Sequence, residues 1–222
     1  MKRTILTMIA AAGILMSAKA QQTTTGIHFI PRVGVNFTNA TVTAYSSDYD
    51  YKIKTGFHIG ADVEIPIADE FYLQPGLLFS TKGAKAKNTD NGDINLSYIE
   101  VPVSFMYKPV LGEGRLILGV GPYVGVGVGG KIKEDGEDDV DVEFKNEVNF
   151  EDVFSSEKAY LKRTDFGANF TVGYELAMGV VLQLNAQLGL SNNATKLNNA
   201  PSEFDDQKFK NTGFGLSVGY RF

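Results

Sequence analysis

The sequence has no cysteine and no tryptophan, and only two of its 222 residues are histidine. Without cysteine there is no disulfide framework, no thiolate metal site and no thiol to carry a lipid anchor. The two histidines, His28 and His58, would have to meet to form part of a metal site. Strand parity is expected to place them on opposite faces, so no metal and no cofactor is expected. Long apolar runs are missing too. After residue 20 nothing approaches the roughly 18 apolar residues of a spanning helix. Positive charge is also scarce. The formal net charge is −5, which excludes nucleic acid as an expected partner, because phosphate binding needs a basic surface.

What is present begins with a leader. Lys2 and Arg3 precede an apolar run from Ile5 to Met16, and Ala18-Lys19-Ala20 offers an A-x-A cleavage site. Residues 1–20 read as a secretory signal peptide, residues 21–25 as a short N-terminal segment, and 26–222 as a β-barrel domain. An exported chain without disulfides must be held by hydrogen bonds and packing.

From residue 26 onward apolar residues recur with period 2, the mark of strands with two unlike faces. In YKIKTGFHIGADVEI, Tyr51, Ile53, Phe57, Ile59, Ala61, Val63 and Ile65 share one face, opposite Lys52, Lys54, Gly56, His58, Gly60, Asp62 and Glu64. The pattern recurs in 29–37, 71–82, 97–108, 116–128, 165–176, 181–191 and 209–222. Eight strands are therefore expected. Connections 66–70, 109–114 and 177–179 are short, whereas 38–50, 83–95, 131–163 and 192–208 are longer and polar. No segment between them has a helical period. The expected fold class is all-β: an eight-stranded antiparallel up-and-down transmembrane β-barrel, with short turns at one end and long loops at the other.

A soluble barrel with its apolar face inward also alternates. Three features favour lipid on the outside. The polar face is rich in glycine and carries charges, which suits a narrow lumen. The aromatics sort by depth: Phe29, Phe71, Tyr107, Tyr174, Tyr220 and Phe222 toward the short turns, Phe37, Tyr51, Phe79 and Phe166 toward the long loops. Such rings tolerate both lipid and water and form interfacial girdles. The chain also closes on LSVGYRF, where Leu216, Val218, Tyr220 and Phe222 alternate outward. The expected location is the cell outer membrane, with its lipid as one partner and its assembly machinery, meeting the C-terminal strand, as another.

Residues 125–132, GVGVGGKI, imitate a phosphate-binding loop. Ile132 lacks the hydroxyl that such a loop needs at this position, and no helix follows. Gly119, Gly121, Gly125, Gly127 and Gly129 instead read as the inward row of strand five, interrupted by Tyr123. They would leave room for larger side chains to fill the axis of so narrow a barrel. Pro122 has no N–H and is expected at a bulge or an unpaired ladder position.

Several strand patterns together, FYLQPGLLFSTKG, SYIEVPVSFMYK, GPYVGVGVGGK, KRTDFGANFTVGYEL, LQLNAQLGLSN and the final GYRF, make the chain resemble the PorT-like outer-membrane β-barrel family of Bacteroidetes-type bacteria. The resemblance implies an eight-stranded barrel in the outer membrane, and it brings in a tie to protein secretion through the family's named member.

The lumen face collects Arg32, His58, Asp62, Glu64, Glu100, Asp165, Glu175 and Arg221, with Gln74, Asn169, Gln183, Asn185 and Gln187. Buried charges must be paired, so an ion-pair filling is expected over acid–base chemistry. No nucleophile–base set is apparent, and the chain is expected not to be an enzyme. Segment 133–157 holds eleven acidic and two basic residues. Asp135, Asp138, Asp139 and Asp141 invite comparison with calcium loops, but the required order of ligands and glycine is absent there and in NTDNGD at 88–93. A solvated extracellular loop is expected, with divalent bridging to lipid heads as the alternative. The expected function is a non-enzymatic barrel with a plugged lumen that binds an extracellular partner or surface ligand through 131–163. A narrow conduit or an assisting secretion subunit is the alternative.

Overall fold

The structure is a computed structural model and describes residues 26–44, 47–49, 51–86, 92–133, 138–156, 158–201 and 207–222. The expected signal peptide and the segment 21–25 lie outside them. Eight long strands form the barrel: β1 (His28–Ala44), β2 (Lys54–Ala68), β3 (Phe71–Ala86), β4 (Asp93–Tyr107), β5 (Gly114–Lys133), β6 (Thr164–Glu175), β7 (Val180–Gly189) and β8 (Lys208–Tyr220). Each pairs antiparallel with the next. β8 returns to β1 with Val35 opposite Leu216 and Phe37 opposite Phe214. Closure removes the edges, which in lipid would leave backbone N–H and C=O groups unsatisfied.

The alternation sets the two faces. Val33, Val35, Phe57, Ile59, Val101, Val120, Val124, Leu184, Leu216 and Val218 are exposed around the outside. An apolar belt of this extent requires a lipid neighbour. No helix among the described residues is long and apolar enough to cross a membrane; the strands form the crossing. At the short-turn end Phe71 stacks on Tyr107 at 4.8 Å, and Tyr220 meets Phe222 edge-on at 4.8 Å. At the other end Phe37 stacks on Phe214 at 5.1 Å, and Phe57 lies 5.8 Å from Phe79. Tyr51 departs from the expected girdle. It sits on a separate short strand (Tyr51–Lys52) and packs, half-buried, against an inner apolar cluster.

The strands overrun their expected ends. β5 has 20 residues, about 66 Å at 3.3 Å per residue, well beyond a hydrocarbon core of about 30 Å even when tilted. The surplus stands on the long-loop side, so much of 38–50, 83–95 and 131–163 is sheet and not loop. Pro122 behaves as its chemistry requires. The β4–β5 ladder steps from Pro102↔Tyr123 to Phe105↔Val120, leaving Pro122 unpaired on that side. The bulge in this ladder lies higher, at Ser97/Tyr98.

Candidate functional site

Reading inward positions up the strands from the short turns gives layers of unlike chemistry. The lowest is charged. Lys108 donates to Glu64 at 2.5 Å and also pairs with Glu175. Arg221 reaches Glu64 at 2.6 Å. Glu64 and Lys108 are buried, which is tolerable only because each charge has opposite partners. Above it lies an apolar layer of Ile30, Tyr72, Met106, Ile117 and Val181. Met106 occupies the space left by Gly119, where a Cβ would collide with its sulfur.

The middle layer holds Arg32, whose Nε lies 2.7 Å from Asp62. Asn36 and His58 share a 2.7 Å hydrogen bond, while the His58 Nε2 is buried without a partner and tucked against Gly34. A polar cavity of about 50 Å³ lies beside these groups and is also bordered by Lys82, Glu100 and Gln187.

The upper charged layer centres on Lys82. Its ammonium lies 2.5 Å from Glu100 and 3.2 Å from Asp165. It also sits over the rings of Tyr123 and Tyr98, 4.6 and 5.4 Å from their centroids. Asp165 accepts further bonds from Tyr123 (3.3 Å), Asn211 (3.1 Å) and Ser191 (3.1 Å). Glu100 accepts one from Gln187 at 3.3 Å. Above this, Ala40, Ala84, Ile94, Leu96, Tyr98, Val142 and Phe209 form an apolar seal.

The lumen list from the sequence is thus brought together, but Lys82 and Lys108 were missing from it. Their signal was present: Lys82 has the parity of Gln74 and Ser80, and Lys108 that of Glu100 and Ser104. His28 needs correction. It stands opposite the inward Glu64 on β1, so both histidines occupy the lumen face. They are kept apart by depth, because His58 stands opposite Gly34, six residues further up β1. His28 Nδ1 lies 2.9 Å from the Phe222 carbonyl. Among the described residues no cluster of three or more His, Asp or Glu could hold a metal ion.

The acidic segment also differs from a solvated loop. Val140–Phe144 adds to the top of β5 and runs parallel to Lys158–Leu161. Glu147–Asn149 runs parallel to Lys196–Asn198 and leads into a short helix, Phe150–Ser155. This cap turns Val142 and Phe144 into the mouth. The Phe144 ring meets Tyr98 edge-on at 6.3 Å and fills the space left by Gly127. Within the row of strand-five glycines, Gly127 therefore seats a ring from the segment that follows the strand. Asp139 and Asp141 turn to Lys131 and Lys133, which removes two of the carboxylates that a calcium loop would have used. Asp135 and most of 88–93 lie outside the described residues.

Glu143 bonds Lys145 and Lys158, both at 3.0 Å. These bonds hold its carboxyl below the usual range and raise Lys158 above the usual lysine range. A depressed folded-state carboxyl supports the cap above its unfolded pKa and loses that support as pH falls through the lower folded value. Limited proteolysis should therefore cut the cap faster in acid, and Glu143→Gln should reduce that pH dependence.

No curated protein matches the chain. Among solved structures it is similar to the attachment invasion locus protein Ail of Yersinia pestis, with 14% identity, TM-score 0.43, and 89% of this chain and 99% of that one covered. It is also similar to Outer Membrane Protein W of E. coli, with 14% identity, TM-score 0.46, and 89% and 98% covered. The family model described as outer membrane protein beta-barrel domain matches residues 19–195. A closed barrel with an apolar belt and a charged lumen, matched by that model over most of its length, belongs to the outer-membrane β-barrel domain family and resides in the outer membrane.

Proposed function

We propose that this chain is a non-enzymatic outer-membrane barrel with a closed lumen, and that its folded extracellular cap is its working surface for a partner or surface ligand. The observation that supports closure is the upper layer, where Lys82, Glu100, Asp165, Tyr98 and Tyr123 fill the axis from four strands. Apolar layers lie below and above the charged ones. A conduit needs a continuous wet path, and here Lys82, Lys108, Arg32 and Arg221 are each engaged by opposite charges. The cap supports the binding role because its strands are tied to one another and to β5, so it presents a fixed surface. A transport role, as a narrow conduit or as the assisting secretion subunit that PorT-like resemblance brings in, is the alternative reading. Swelling of proteoliposomes in small sugars separates the two. Closure gives swelling no faster than protein-free vesicles, and a conduit gives a rate that rises with protein content.

A further inference from the structure

Apart from Lys54, which pairs with Asp93 at 3.7 Å, and Lys162, which donates to the Asn192 carbonyl at 3.2 Å, the described lysines of the extracellular rim fall into two groups. On the β4–β5 side and in the cap, Lys131, Lys133, Lys145, Lys158 and Lys196 each have a carboxylate within ion-pair distance. On the β3–β1–β8 side, Lys52, Lys85, Lys208 and Lys210 have no carboxylate partner among the described residues, and Lys52, Lys85 and Lys208 are exposed. Arg163, at the foot of β6, is a further exposed cation without one.

Their placement is specific. Lys52 stands directly opposite Lys85 in the register, and like charges facing each other across a ladder repel. Lys208 and Lys210 share the outward parity of Phe214 and Leu216, opposite Thr43 and Thr41. Lys210 lies four residues above Phe214, about 13 Å along the strand and about 10 Å above the aromatic girdle once tilt is allowed for. That is where a bilayer presents its headgroups. Lysine stems can lie along the apolar surface while the ammonium reaches the polar layer. The opposite rim is unlike this: its outward turn residues Asp69 and Glu113 are exposed acids.

We propose that Lys52, Lys85, Lys208 and Lys210 form a binding stripe for phosphate-bearing lipid headgroups of the outer leaflet. Lys208 and Lys210 stand above the apolar β8–β1 wall, so one lipid can place its chains on that wall and its phosphate against them. Beyond β1 the register interposes Asp48, opposite Thr43, before the Lys52–Lys85 pair, so the two lysine pairs hold the phosphate from its two sides. The anion also relieves the Lys52–Lys85 repulsion. This site does not depend on whether the lumen is closed.

The test is native mass spectrometry of the folded barrel released from mixed vesicles of phosphatidylcholine and phosphatidic acid. The expected result is preferential retention of phosphatidic acid. The preference should drop about five-fold per lysine removed, at about 1 kcal/mol each, in Lys208→Gln/Lys210→Gln and in Lys52→Gln/Lys85→Gln. It should persist in Lys131→Gln/Lys133→Gln. All these side chains lie on the rim, and heat-modifiable migration verifies folding. No preference in the parent, an equal drop in the Lys131/Lys133 control, or binding of inorganic phosphate as strong as that of the lipid would overturn the proposal.

Discussion

Lys82→Met is expected to lower the folding stability of the barrel by about 3–5 kcal/mol, the range for removing one partner of a buried ion pair. Among the described residues Lys82 is the only cation within ion-pair distance of both Glu100 and Asp165, and both carboxylates are buried. Methionine keeps most of the volume and leaves two charged groups facing only neutral donors. Lys131→Met provides the contrast. Its ammonium is half-exposed and pairs with Asp139 and Asp141 at 3.6 Å, so its loss should stay within about 1 kcal/mol. Urea titration of vesicle-reconstituted protein, read by heat-modifiable migration, measures both. Equal losses would show that the Lys82 cage adds nothing beyond an ordinary surface pair.

Deleting Phe222 is expected to reduce the folded barrel recovered from cells severely, while the purified protein still refolds in detergent. Strand β8 ends at Tyr220, yet Phe222 continues the seam by donating its N–H to the Phe29 carbonyl at 3.0 Å. Losing that bond removes about 0.5–1.5 kcal/mol, and the ring, still partly exposed, contributes no more than about 1.5–3 kcal/mol. Neither prevents folding. The outward series Leu216, Val218, Tyr220, Phe222 is instead the feature that an assembly factor could recognise on the unfolded chain. Unchanged cellular yield, or equal failure in detergent, would remove that role from Phe222.

The barrel was legible because a period of 2 is a local property. Lipid outside and charge inside put opposite demands on neighbouring residues, so Val33, Val35 and Val120 announced their face without any knowledge of their partners. The lumen was legible in kind and incomplete in detail. Arg32, Glu100 and Asp165 were placed correctly, but Lys82 looked like a strand-end lysine until its strand proved to run on to Ala86, and Lys108 lies just past the end of its strand at Tyr107, where parity alone does not announce an inward side chain. The cap was not legible. Its strands are three to five residues long, and two of its pairings are parallel between segments distant in the chain. No local period encodes such contacts. The inward row of glycines was clear on its own strand, but the ring that fills the space at Gly127, Phe144, comes from what read as an acidic loop.

The most direct measurement is single-channel recording in planar bilayers, made on the parent and on a variant with 138–156 replaced by a short flexible linker. On the closed-lumen proposal neither protein should show stable conductance steps, because the charged and apolar layers below the cap would already block the path. Steps in the parent would contradict closure altogether. Steps that appear only in the variant would place the seal in the cap and not in the Lys82 layer.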